Sequence, residues 1–211
     1  MKLVFFGDSI TDMRRDRDTD DNLFGLGFGH VRIIADRLLR KPNKYSIINR
    51  GIGGDKSVDL YARIERDVWQ EKPDVLSILV GINDIWHMQW KNGVDMGRYE
   101  KVMRAILEET KAKLPNVKIV LCEPFVLHGK ESDDFGFEDM NKIREYAKVC
   151  NHLSCEYKTI FLPLQDKLDE AAKIYGEQNI LYDGVHPNTF GAGIIADLWL
   201  DIFEKEIMDK K

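Results

Sequence analysis

No stretch of the 211-residue chain approaches the roughly 18 to 20 consecutive apolar residues that a membrane-spanning helix requires, so a membrane-inserted protein is not expected. Positive charge is also in short supply: 31 Lys and Arg stand against 36 Asp and Glu, a net charge of -5. The short basic runs, Arg14-Arg15 and Leu39-Arg40-Lys41, are diluted by neighbouring aspartates or fall at the end of a helix. A nucleic-acid binder, which needs a basic patch to neutralise phosphates, is therefore disfavoured. Cysteine is scarce as well. Cys122, Cys150 and Cys155 are odd in number and lack Cys-x-x-Cys spacing, which argues against both a disulfide framework and a zinc site and fits a reducing cytoplasm. The apolar start, Met1 to Phe6, is too short for a signal-peptide core and is closed by Gly7-Asp8, so it reads as a strand. With no export signal visible, the substrate is expected to be something that enters or is made in the cell. Internal repeats, low-complexity tracts and linkers are missing too, and the length suits one domain spanning residues 1–211.

What the chain does contain is alternation. Short runs rich in β-branched and aromatic residues recur at Lys2–Phe6, Ser46–Asn49, Val75–Val80, Val117–Leu121 and Thr159–Leu162. Between them lie stretches of helical spacing. Val31, Ile34, Ala35 and Leu38 share one face, Val102, Ile106 and Leu114 mark a second helix closed by Pro115, and the segments Phe137–Leu153 and Gly191–Ile207 read the same way. Strands alternating with helices predict right-handed crossovers and an α/β/α sandwich around a five-stranded, flavodoxin-like parallel sheet of order 2-1-3-4-5. Two long irregular stretches, Thr11–Phe28 and Glu123–Phe135, follow the ends of predicted strands, where such sheets place their ligands.

The chemistry-bearing residues cluster at those strand ends. Gly7-Asp8-Ser9-Ile10-Thr11 puts a serine hydroxyl where the chain leaves the sheet; its bland alternative is a helix cap. Asp183-Gly184-Val185-His186-Pro187 lies on a Gly- and Pro-punctuated loop before the last helix. A histidine there can take a proton from a serine and return it to a leaving group, if Asp183 folds back to hold its other ring nitrogen. Acyl transfer also needs donors for the developing oxyanion. Asn49-Arg50-Gly51-Ile52-Gly53-Gly54 offers backbone N–H groups on glycines, and Gly81-Ile82-Asn83-Asp84 offers a side-chain amide, although each could be a plain turn.

These four segments, in this order between Gly7 and Pro187, resemble the four blocks of the SGNH (GDSL-type) hydrolase family. The resemblance implies a serine esterase without a cofactor. Residue by residue it implies Ser9 as nucleophile, Asp183 and His186 as its partners, and an oxyanion hole formed by the Ser9 N–H, Asn83 and a glycine N–H. Alignment on Asn49 and Gly51 favours Gly54 over Gly53 for that donor. The runs Gly27-Phe28-Gly29, Asp59-Leu60-Tyr61-Ala62-Arg63, Lys72-Pro73-Asp74 and Gly81-Ile82-Asn83-Asp84-Ile85-Trp86 are similar to those of intracellular acetylxylan esterases within the family. That likeness implies a small acetylated carbohydrate as substrate, with Asp8, Trp86, Trp90 and Tyr182 as candidate substrate contacts. Trp86 and Trp90 are one helical turn apart and would present one aromatic face to a sugar. Tyr182 stands where that subgroup often has tryptophan.

Other signals carry less. Gly25-x-Gly27-x-Gly29 follows a charged loop instead of a strand and has the wrong spacing for a dinucleotide fingerprint. The cluster Asp16, Asp18, Asp20 and Asp21 lacks the terminal glutamate of a calcium loop, and His30, His87, His128 and His152 are scattered, so no metal is expected. The competing readings are a lysophospholipase, thioesterase or cell-wall sugar deacetylase on the same triad, and a non-enzymatic flavodoxin-like module. The sequence leaves the subunit count open, a homo-oligomer included.

Overall fold

The computed structural model describes residues 1–42, 44–134 and 141–208. Five parallel strands, β1 (Lys2–Gly7), β2 (Ser46–Gly51), β3 (Val75–Leu79), β4 (Lys118–Cys122) and β5 (Ile160–Leu162), form one sheet of order β2-β1-β3-β4-β5, as the sequence predicts. The central strands are continuous apolar runs because both faces are covered. In β1, Phe5 packs against Trp199 at 5.0 Å between ring centroids, while Phe6 lies under the Arg63 guanidinium at 4.5 Å. Alternate side chains of one strand thus anchor opposite helical layers.

The helices described are α1 (Ser9–Asp12), α2 (His30–Leu39), α3 (Ser57–Ile64), α4 (Ile82–Trp86), α5 (Met96–Lys113), α6 (Lys130–Asp134), α7 (Asn141–Glu156), α8 (Gln165–Tyr175) and α9 (Thr189–Ile202). Helix α2 packs against α9 on one side of the sheet, and α5 packs between α3 and α7 on the other. Trp199 of α9 fixes its side by donating its indole N–H to Ser77 Oγ of β3 at 3.1 Å. The apolar face read for α2 holds, with Val31, Ile34, Ala35 and Leu38 buried; on α5 Ile106 is buried as expected, but Val102 is only partly so, and Met103 and Leu107 take the buried positions beside it. Leu114 is an exception, standing at the C-cap of α5 just before Pro115. The last segment is helical as expected and widens past Ile202 into a π-helical stretch, Phe203–Met208. Of the expected helix Phe137–Leu153, residues 137–140 lie outside the described residues, as does Phe135 at the end of the second irregular stretch. Among the described residues no helix is long and apolar enough to cross a membrane.

The register positions the site. Gly7 lies beside Gly51 of β2 and Leu79 of β3, so three strands end level and release their loops side by side. Because β1 sits where the strand order reverses, those loops flank the crevice in which open α/β sheets bind ligands. The loop after α1 is pinned over it: Phe28 N–H donates to the Met13 carbonyl at 2.9 Å, and Gly27, at φ +72°, passes so near Asp12 that a Cβ would stand 2.3 Å from its carbonyl oxygen.

Candidate active site

Ser9 is the first residue of α1, directly after β1. The cap is Asp8, not Ser9: the Asp8 carboxylate accepts the Ile10 N–H at 2.9 Å, which leaves the Ser9 hydroxyl free to face the crevice. Asp8 itself is fully buried, so the expectation that it touches substrate is corrected. Its second oxygen has no hydrogen-bond partner among the described residues, and burial pushes its pKa up to about 7.

The loop carrying Asp183 and His186 is a closed turn. Leu181 bridges to Pro187, Tyr182 N–H donates to the His186 carbonyl at 3.0 Å, and Gly184 takes φ +91° between them. Within the turn one Asp183 oxygen accepts the backbone N–H groups of Val185 and His186 at 2.9 and 2.7 Å. The other lies 2.7 Å from His186 Nδ1, and His186 Nε2 lies 2.8 Å from Ser9 Oγ. An ionised carboxylate only accepts, so the ring proton belongs on Nδ1, and Nε2 keeps a lone pair for the serine hydroxyl. Burial opposes ionisation of both partners, but their hydrogen bond and mutual charge outweigh it. Asp183 is held below the usual carboxylate range, and His186 is raised above 6.5.

Two further segments border the serine. Gly53 N–H donates to Asp12 Oδ2 at 2.9 Å and is therefore spent. Gly54, at φ +86°, makes no backbone N–H bond to the described residues, so of the two glycines its donor is the one available to a ligand. Asn83 is buried on the first turn of α4, where its amide donates one N–H to the Asp55 carbonyl at 3.0 Å. That bond fixes the amide plane and leaves the second N–H to point elsewhere. Asp84 next to it accepts from the Ser57 N–H and hydroxyl, tying α4 to the start of α3 and so to the glycine loop. Burial pushes Asp84, too, up to about 7.

Above Ser9 and His186 lies a cavity of about 810 Å³. The Tyr182 ring, 56 % exposed, stacks on the His186 ring at 5.8 Å and 20° and lines this cavity with Phe28. Trp86 lies 6.4 Å from the His186 ring and 6.2 Å from Trp90, yet neither indole belongs to the cavity lining. The sequence had not pointed to Met13, Arg14, Arg15 and Arg17, which form much of the wall. Their signal was position alone, in the long polar stretch after β1.

Known proteins share this architecture. Residues 5–194 match the model of the GDSL-like lipase/acylhydrolase family. The chain is 35 % identical over 209 residues to the acetylxylan esterase of Geobacillus stearothermophilus, covering 94 % of this chain and 92 % of that protein. The crystal structure of that esterase superposes with a TM-score of 0.84 at 32 % identity, over 95 % of this chain and 92 % of its own. Variants described as its catalytic mutants, with one serine, histidine or aspartate changed to alanine, superpose comparably. A protein of Parabacteroides merdae described as a GDSL-like lipase superposes with a TM-score of 0.89 at 40 % identity, over 95 % of this chain and 94 % of that one. This chain therefore belongs to the GDSL-like lipase/acylhydrolase family, as a carboxylic ester hydrolase.

Proposed function

We propose that the protein removes acetyl groups from small carbohydrates, xylo-oligosaccharides among them, through an acyl-enzyme formed on Ser9. The observation that carries this reading is the unbroken relay Ser9 Oγ to His186 Nε2 at 2.8 Å and His186 Nδ1 to Asp183 at 2.7 Å. In the first half-reaction His186 takes the serine proton as Oγ bonds to the ester carbon. Charge grows on the carbonyl oxygen and is met by the N–H groups of Ser9 and Gly54 and by the Asn83 amide. The tetrahedral adduct collapses, the C–O bond to the sugar breaks, and the imidazolium hands its proton to the leaving oxygen. Water then repeats the sequence on the acetyl-serine. Asp183 keeps His186 in the useful tautomer and stabilises its transient charge.

The name of the Geobacillus relative supports acetyl as the acyl group and xylan fragments as the source of the alcohol. The cavity agrees in kind, because Arg14, Arg15, Arg17 and Asp12 in its lining would strand a fatty chain against charges, whereas Tyr182 and Phe28 offer flat faces to a sugar ring. A panel of p-nitrophenyl esters from acetyl to octanoyl, run beside acetylated xylo-oligosaccharides, tests the reading. It expects acetyl esters to be turned over fastest and acetate to be released from the sugars. A preference for octanoyl would favour a lipase or thioesterase.

A further inference from the structure

The cavity over Ser9 carries surplus positive charge on a chain whose net charge is -5. Arg14, Arg15 and Arg17 line it against Asp12, the one carboxylate in its lining among the described residues. Arg17 is paired with Asp12, so the surplus rests on Arg14 and Arg15. Arg14 is exposed and belongs to no ion pair among the described residues. Arg15 is only 9 % exposed; its Nε donates to the Gly51 carbonyl at 2.9 Å, while its buried Nη1 has no hydrogen-bond partner among the described residues. A buried cationic donor left without an acceptor is costly and calls for an explanation.

The adjoining cleft of about 760 Å³ shows how the neighbouring charges are arranged. It shares Arg15 and Arg17 with the cavity, but there four arginines face four carboxylates. Arg50 is answered by Asp20 and Glu71, and Arg66 by Asp67. Neither Arg14 nor Arg15 forms an ion pair with any of these carboxylates among the described residues, so these two cations have no direct partner within the protein. A guanidinium is a planar fork matched to an oxyanion, and a concave low-dielectric site strengthens its pull.

We propose that the alcohol half of the substrate carries an oxyanion, as in an acetylated acidic sugar, and that Arg15 and Arg14 hold it while the sugar ring lies against Tyr182. This inference rests on the acetyl-esterase reading above. The oxyanion is a sugar carboxylate or a sugar phosphate, chemically alike to a guanidinium.

Matched substrates test it: acetylated xylo-oligosaccharides with and without a uronic acid branch, acetylated glucose with and without a 6-phosphate, and p-nitrophenyl acetate as a neutral control. At low salt kcat/KM should be at least about tenfold higher for the anionic member of one pair, the worth of one charge-assisted hydrogen bond, and should fall as salt is added. The pair that shows the preference identifies the oxyanion. Arg14→Gln, on the surface, and Arg15→Lys, which keeps the charge and loses the fork, should each shrink the anionic-to-neutral ratio several-fold. Hydrolysis of p-nitrophenyl acetate with ratios near one in both pairs would overturn this inference and leave the esterase reading standing. A preference unmoved by either variant would overturn the assignment to these arginines. Failure to hydrolyse any acetyl ester would remove the underlying reading and this inference with it.

Discussion

His186 Nε2 stands 2.8 Å from Ser9 Oγ although 177 residues separate the two in the chain. The sheet brings them together: β1 delivers the serine to the crevice, and the turn from Leu181 to Pro187 delivers the histidine. Neither local segment brings the two together alone, so their juxtaposition is a property of topology.

The bond to Asp183 raises His186 above its ordinary 6.5, against the opposing effect of burial. The proposed mechanism needs the neutral imidazole, so kcat/KM should fall as pH drops through that raised value, with the acid limb above 6.5. Asp183→Asn should move the limb down and lower kcat by orders of magnitude, about 10⁴ in the best-studied triad. A pH–rate profile of both proteins checks this; an unshifted limb would mean that another group orients His186.

Under the proposed mechanism Asn83 acts on the transition state alone, because an oxyanion is charged only during reaction. Asn83→Ala is expected to lower kcat about 10² to 10³-fold with little change in KM. Steady-state kinetics on p-nitrophenyl acetate separate the two parameters, and a change confined to KM would assign Asn83 to ground-state binding.

Asp8 gives a stability prediction with a defined sign. Its folded pKa of about 7 lies above the ordinary 3.8, so the native state holds a proton that the unfolded chain releases. Its contribution is present below 3.8 and is lost as pH rises toward about 7. Asp8→Asn keeps an acceptor for the Ile10 N–H and cannot ionise. Its melting temperature relative to the parent should therefore rise between pH 4 and pH 8, and a difference independent of pH would contradict the buried, protonated carboxyl.

Tyr182, not the tryptophan pair, lines the cavity. Tyr182→Ala should impair acetylated xylo-oligosaccharides more than p-nitrophenyl acetate, and should do so more strongly than Trp90→Ala. Equal losses on both substrates would point to support of the His186 ring instead of contact with sugar.

Much of this was legible in the sequence. The strands announced themselves because a doubly covered parallel sheet demands apolar runs, and the positions proposed for catalysis because a nucleophile, a base and oxyanion donors need particular residue types at strand ends. Short elements hid better. Helix α4 gives way at His87 to a 3-10 turn reaching Trp90, so the helical spacing of the two tryptophans does not carry them both onto one face of the cavity. Asp8 is a candidate substrate contact on the sequence, but as the N-cap of α1 it is turned inward and buried. The arginine wall was hidden for a different reason. Along the chain Arg14, Arg15 and Arg17 are interspersed with aspartates and read as neutral, whereas in space Asp12 borders the cavity with them while Asp18 and Asp20 line the adjoining cleft.

The central claim is that Ser9 carries the acyl group, and trapping tests it most directly. Incubation with a serine-directed fluorophosphonate, followed by intact-mass and peptide mass spectrometry, should add one equivalent to the peptide containing Ser9. The label should be lost in Ser9→Ala and slowed in His186→Ala. Full esterase activity in Ser9→Ala, or an adduct placed on any other residue, would contradict the account.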